Sequence, residues 1–305
     1  MDQKQVEQPS RMGIPFWKLL GVSIRTYQAH FLNYFILGAI TYIPFLIIDA
    51  FSTMDLMDLM DFFHGNFLDI LVFLTLPTLV LKKRVFPFAT LQLFSQNFFA
   101  SAVIISFIQL GTLFFFLMFF AQLNFGLILL GTLPYIFLLF AGFYLILHND
   151  QKLISITKNI QQSIQTVKSH FSLVFWNFLN ITILLIAPVF FFSMWYLSNH
   201  TELLQFTHEI QAGKQQDLLM GQRLMDLLQS IVLEPGFRWG RVGIHLLLRP
   251  IKALFLAYLF VEIMKRIAPG MIFNFLGPIP TPESPKEQPT SSPTPTKPED
   301  QGEHE

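Results

Sequence analysis

The chain has 305 residues, 52% of them hydrophobic and 13% charged, with 20 basic and 20 acidic side chains in formal balance. A soluble domain carries about 25% charged residues and needs polar groups to cover its exterior, so this composition excludes an ordinary soluble enzyme or a disordered chain. The absence of cysteine excludes thiol catalysis, disulfides and Cys-bearing metal sites, and the balanced charge leaves no nucleic-acid footprint.

A polar segment at 1–13 leads into the stretch FWKLLGVSIRTYQAHF, which is amphipathic. It lacks the short apolar core and small-residue cleavage site of a signal peptide, so the first span reads as an anchor that stays. A spanning helix needs about 20 mostly apolar residues. Six segments qualify, at about 31–50, 66–82, 98–120, 124–147, 171–197 and 242–264. The loop at 51–65 holds Asp55, Asp58 and Asp61, which read as a solvated acidic face. The outer loop at 198–241 contains two short helical stripes, one through Leu203, Phe206 and Ile210 and one through Leu218 to Val232. Pro-rich sequence at 269–305 predicts a disordered tail; the last part, from Gly277, holds 8 prolines.

Lys and Arg in short loops mark the cytoplasmic side. Lys4, Arg11, Lys18 and Arg25 precede the first span, Lys82, Lys83 and Arg84 follow the second, and Lys265 and Arg266 follow the sixth. Lys152, Lys158 and Lys168 lie between the fourth and fifth. All fall on one side when both termini are cytoplasmic, in an inner (plasma) membrane. Lys214, Arg223, Arg238 and Arg241 in the outer loop run against this sorting. The formal charge divides into +4 over residues 1–276 and −4 over residues 277–305.

Residues 23–31 (SIRTYQAHF) and 163–171 (SIQTVKSHF) share Ser, Ile, Thr, His and Phe at an offset of 140. The stripe Phe16, Leu20, Ile24, Tyr27, Phe31 maps onto Ile156, Ile160, Ile164, Val167, Phe171, one face of a helix. Leu91, Phe94 and Phe98 echo its end at an offset of 67, and Pro77, Pro134 and Pro250 each mark an even-numbered span. The predicted fold class is therefore an all-α membrane protein. Its six transmembrane helices form three parallel repeats, each an amphipathic interfacial helix plus a helical hairpin.

Charges at membrane depth are costly, so each is a candidate functional residue. Arg249 and Lys252 lie three apart on the sixth span and share a face, with Asp49 ending the first span and Asp69 beginning the second. One reading is an outer cavity in which these cations face Asp49 or Asp69 and release them to hold an anionic headgroup or solute. The other is a structural ion pair or snorkelling side chains. Glu262 pairs with Lys265 or Arg266 at the inner end. His200 and His208 lie near Glu202 and Glu209 without metal-ligand spacing, and no catalytic motif, cofactor-binding motif or metal signature occurs.

The lead FWKLLGVSIRTYQAHF, its echo KNIQQSIQTVKSHF and the last helix RPIKALFLAYLFVEIMKR carry a resemblance. Across about residues 14–268 the chain resembles YciC-like bacterial inner-membrane proteins and the membrane domain ahead of the catalytic barrel in some glycerophosphoryl diester phosphodiesterases. The resemblance implies a membrane protein without a catalytic residue, since the barrel is absent. Two functions follow as expectations. The first is a non-enzymatic integral membrane protein in envelope organisation or a membrane complex, met by partners at the Pro-rich tail or outer loop and by membrane lipids. The second is a transporter or lipid-handling protein with an anionic ligand near Arg249 and Lys252. A polar cavity lined by Asn33, Asn177, Asn180, Arg249 and Lys252 favours the second, and a dry Phe-packed interior the first.

Overall fold

A computed structural model describes residues 15–51, 57–81, 84–123, 132–148, 153–211 and 220–277. Among these residues the secondary structure is helical, with no strand. Helices α1 (Phe16–Ala29) and α2 (Phe31–Phe51) are followed by α3 (Met57–Val80), then α4 (Pro87–Asn97) and α5 (Phe99–Leu123). Next come α6 (Leu133–Phe137), α7 (Ala141–His148), α8 (Leu153–Ser169) and α9 (Phe171–Ser198). The chain continues through α10 (Thr201–Gln211), α11 (Met220–Leu233), α12 (Pro235–Ile267) and α13 (Pro269–Leu276).

Three stretches are long and apolar enough to cross a membrane by themselves: Asp61–Val80, Phe171–Ser198 and Pro235–Ile267. Two bent pairs, Phe16–Ala29 with Phe31–Ile47 and Pro87–Asn97 with Phe99–Phe115, raise the number of candidate spans to five if each pair counts as one. The chain thus has three to five candidate spans among the described residues.

Two sharp bends join neighbouring helices. Helix α1 meets α2 at 88°, and α4 meets α5 at 78°. His30 breaks the first pair with φ −126° and ψ 26°, and His170 breaks α8 from α9 with φ −126° and ψ 28°. Each of these amides donates back to the closing turn, His30 to Thr26 and Tyr27, His170 to Thr166 and Val167. The break between α4 and α5 is at Phe98, with φ −123° and ψ −15°. The break at Phe98 is offset by 68 from that at His30, one residue from the offset of 67 in the apolar stripe.

Helices α3 and α12 form the centre of the bundle and run in the same direction, since Asp61, Asp69 and Phe73 meet Arg249, Lys252 and Phe260 in that order. In its most apolar window α3 is 72% buried, whereas α9 is 17% buried, so α9 is peripheral and packs mainly along α12. That packing relies on two glycines. A Cβ on Gly240 would come within 2.1 Å of the Phe192 ring, and one on Gly236 within 2.8 Å of the Tyr196 hydroxyl. Spaced four apart, they let the two helices approach as small residues do in membrane interfaces.

Several predicted boundaries move. The second span does not begin at 66: its helix starts at Met57, so part of the expected 51–65 loop is helical. The fourth, expected as one helix over 124–147, is described as α6 and α7 with a turn at 138–140, its first residues lying outside the described ones. Side chains sustain that break. Ser163 Oγ accepts from the Phe140 amide (3.1 Å) and donates to the Phe137 carbonyl (2.8 Å), and Gln109 donates to the Leu138 carbonyl (2.8 Å). Backbone freed within an apolar bundle needs such partners. Pro134 sits in the first turn of α6, where its missing N–H costs nothing, whereas Pro77 and Pro250 lie inside their helices.

The sixth helix starts at Pro235, seven residues before the expected 242, and therefore includes the end of the 198–241 loop. The loop's two expected helices are present as α10 and α11. The tail does not begin at 269: α13 packs there, with Ile272 and Leu276 buried. Residues 278–305 lie outside the described ones.

Candidate functional site

The first half of α12 carries Arg241, His245, Arg249 and Lys252, at spacings of 4, 4 and 3 that put them on one face. The first half of α3 presents Asp61, Gly65 and Asp69, spaced four apart, with Asn66 beside them. The two faces meet along a cleft of about 460 Å³. Its apolar wall comes from Phe178, Leu185, Ile186 and Val189 of α9 and Leu113 of α5.

Asp61 is 5% exposed, so it is not part of a solvated acidic face. Tyr42 donates to its Oδ1 at 2.7 Å, Arg249 Nη2 approaches the same oxygen at 3.4 Å, and His245 Nε2 lies 3.3 Å from Oδ2. Arg249 Nη1 also donates to the Asp61 carbonyl. The physical cause of this crowding is burial, since a carboxylate shielded from solvent persists only with donors and a cation around it. Asp55 and the side chain of Asp58 lie outside the described residues.

The partners assign both histidine tautomers. His64 is fully buried; its Nε2–H donates to the Gly38 carbonyl (3.1 Å), leaving Nδ1 to accept from Arg249 Nη1 (3.1 Å). Arg249 Nε donates to His245 Nδ1 (3.4 Å), so His245 carries its proton on Nε2, toward Asp61. A neutral imidazole has one donor and one acceptor nitrogen, and both rings use both. The Tyr42 and His64 rings pack edge to face at 4.7 Å. Gly65 stands beneath the guanidinium, where a Cβ would lie 3.5 Å from Nη1.

No protein-family profile, no curated protein and no solved structure matches this chain.

One helical turn deeper, Lys252 Nζ lies 3.7 Å from Asp69 Oδ2. Asp69 is the partner expected for the cation pair, but it engages Lys252, while Arg249 takes Asp61. The side chain of Asp49 lies outside the described residues. Tyr135 donates to Asn66 Oδ1 at 3.4 Å, and Asn66 Nδ2 and Thr182 Oγ1 are buried beside the cleft without a hydrogen-bond partner. Pro250 cannot donate to the Leu246 carbonyl, so α12 loses a backbone hydrogen bond beside Arg249.

Of the residues whose shared cavity would favour transport, Arg249 and Lys252 line the cleft and the three asparagines do not. Asn177 is buried and donates to its own helix at Leu173, Asn180 is exposed, and neither they nor Asn33 line the cleft. Nor are buried polar groups scarce: Asp61, His64, Asn66, Asp69 and Gln109 are all buried in the described bundle. Near the C-terminal end of α12, Glu262 accepts from Lys265 Nζ at 2.6 Å, as expected. At the start of α10, His200 meets Glu234 rather than His208: Glu234 accepts from His200 Nε2 and from the Tyr196 hydroxyl, both at 2.8 Å. The His200 bond, with that of Tyr196, holds the Glu234 carboxyl below the usual carboxylate range.

Residue-by-residue reading missed Tyr42, Asp61, His64 and His245 as members of this site. The signal was present as polar residues at helical spacing, 241, 245, 249 and 252, within an apolar helix.

Proposed function

We propose that the chain is a transporter or lipid-handling protein that binds an anionic group in the cleft between α3, α9 and α12. One observation carries this reading. Arg249 and Lys252 line the cleft, and beside them Asn66 Nδ2 and Thr182 Oγ1 are buried with no hydrogen-bond partner among the described residues. Cations and buried polar groups that converge on one cavity are satisfied together by an anionic group. The buried Asn66 amide and Thr182 hydroxyl supply donors for the same ligand. An anion that engages Arg249 and Lys252 takes the place of Asp61 and Asp69. The carboxylates thus hold these cations whenever no anion does.

The same reading includes the finer architecture: six spans in three parallel units, in an inner membrane with cytoplasmic termini, as in the YciC-like proteins the sequence resembles. The matching backbone at His30 and His170, and the break at Phe98, support the three units. A second reading, a non-enzymatic partner in envelope organisation, is favoured by the Phe-packed inner half of the bundle.

The deciding experiment is native mass spectrometry of the full chain, purified in mild detergent with its lipid. The expected result is a stoichiometric anionic ligand that the double variant Lys252→Met/Asp69→Leu fails to retain. That variant removes both charges together and so leaves no unpaired one buried. Equal retention by wild type and variant, or no anion in either, overturns the cleft reading.

A further inference from the structure

A second cavity, of about 510 Å³, opens at the other end of the α3–α12 pair. From α3 it takes Leu76, Leu79 and Val80; from α12, Tyr258, Val261, Glu262 and Lys265; and from α13, Leu276. Its remaining wall is α1, which contributes Val22, Arg25, Thr26, Ala29 and His30. Asp69 and Leu79 are ten residues apart, about 15 Å along a helix at 1.5 Å per residue, so the two cavities are distinct. From Asp61 to Leu79 the rise is about 27 Å, close to the hydrocarbon thickness of a bilayer. The second cavity therefore lies where hydrocarbon gives way to headgroups.

Its walls are two-sided. Leu76, Leu79, Val80, Val261 and Leu276 form an apolar floor. Above it, Thr26 Oγ1 and the Tyr258 hydroxyl lie 3.0 Å apart and tie α1 to α12. Arg25 has only a bond from Nε to its own helix, at the Gly21 carbonyl (3.2 Å), and neither Arg25 nor His30 has a carboxylate partner among the described residues. Lys265 is joined to Glu262, so Arg25 is the uncompensated charge. Helix α1 turns 88° from α2, and its Trp17 is 73% exposed, as an aromatic in a headgroup layer is.

We propose that this cavity binds the phosphate of an anionic phospholipid, held by Arg25 and Lys265, with acyl chain against Leu76, Leu79 and Val261. The site is independent of the α3–α9–α12 cleft. A guanidinium and an ammonium supply charge-assisted hydrogen bonds to a phosphodiester, and the Tyr258 and Thr26 hydroxyls lie within the same wall. An amphiphile fits better than a free anion because the floor beneath these cations is apolar.

The test uses the full chain in nanodiscs of phosphatidylcholine doped with phosphatidylglycerol, with bound lipid counted by native mass spectrometry. Arg25→Gln/Lys265→Gln should lower phosphatidylglycerol affinity about tenfold, the loss of charge-assisted bonds. Lys252→Met/Asp69→Leu should leave that affinity unchanged, which separates this site from the cleft. Inorganic phosphate in excess should not displace the lipid; displacement would assign the site to a free anion and overturn the lipid assignment. Undiminished lipid binding by Arg25→Gln/Lys265→Gln would overturn the site itself. Arg25→Lys restoring most of the affinity would show that charge, rather than the fold of α1, is what the first variant removed.

Discussion

The two halves of the α3–α12 pair are built on opposite principles. In the first half, Asp61, His64 and Asp69 face His245, Arg249 and Lys252 across a cleft. In the second half the same helices meet through Phe73 and Phe260, whose rings lie 5.5 Å apart. Phe143 stacks on Phe73 at 4.6 Å and Phe275 does so at 4.8 Å. Phe140 completes the cluster against Phe260 at 5.0 Å. In a membrane, lipid tails are as apolar as these rings, so burial alone does not drive their association. The dry half is held by close packing, and the polar half by pairing charges that have no other solvent. A change of shape should therefore injure the first and a change of charge the second.

The largest expected effect is on charge. Asp61→Leu leaves Arg249 uncompensated and should cost about 3–5 kcal/mol, read as a drop in thermal stability of the detergent-solubilised chain. Lys252→Met/Asp69→Leu should cost far less, because removing both charges of a buried pair is often neutral. An equal loss in both would mean that the polar half is held by shape, and the contrast between the halves would fail.

Phe260→Ala opens a void among four aromatic rings, Phe73, Phe140, Phe143 and Tyr144, and should cost about 3–5 kcal/mol while leaving anion retention intact. If the anion is lost as well, the halves are coupled.

Gly240→Ala sets a methyl group against Phe192 and should cost about 1–3 kcal/mol, with Phe192→Ala in the same chain restoring most of it. The double-variant rescue would locate the strain at the α9–α12 crossing, which forms one wall of the cleft.

The smallest effect concerns the clasp of Glu234 with His200 and Tyr196, outside both halves. Its carboxyl lies below the ordinary value of 4.5, so its stabilisation is present above that pH and is lost as the pH falls through the lower folded value. Hydrogen exchange at the start of α12 should rise on acidification, and Glu234→Gln should abolish that pH dependence.

Much of the plan was legible in the chain. The match between residues 23–31 and 163–171 marked where helices break, and both breaks fall on the histidine of the shared pattern. The stripe at Leu91, Phe94 and Phe98 found the third break within one residue. The site was legible only in part. Arg249 and Lys252 stood out because charge is rare in the sixth span, and Asp69 was named with them. Asp61 was misread because MDLMDLMD looks like a polar loop when only its composition is weighed. In the fold that stretch enters α3, and its last acid turns inward.

By itself, the sequence determined that the chain is helical and apolar enough for a membrane, and it singled out Arg249, Lys252 and Asp69 as charges within apolar helices. Those properties follow from composition and local periodicity. Only the tertiary structure decided which acid meets which cation, how the tautomers of His64 and His245 are set, and where two cavities open. Those pairings join residues up to 188 positions apart. Their choice depends on the register at which α3 and α12 pack, which no local pattern encodes.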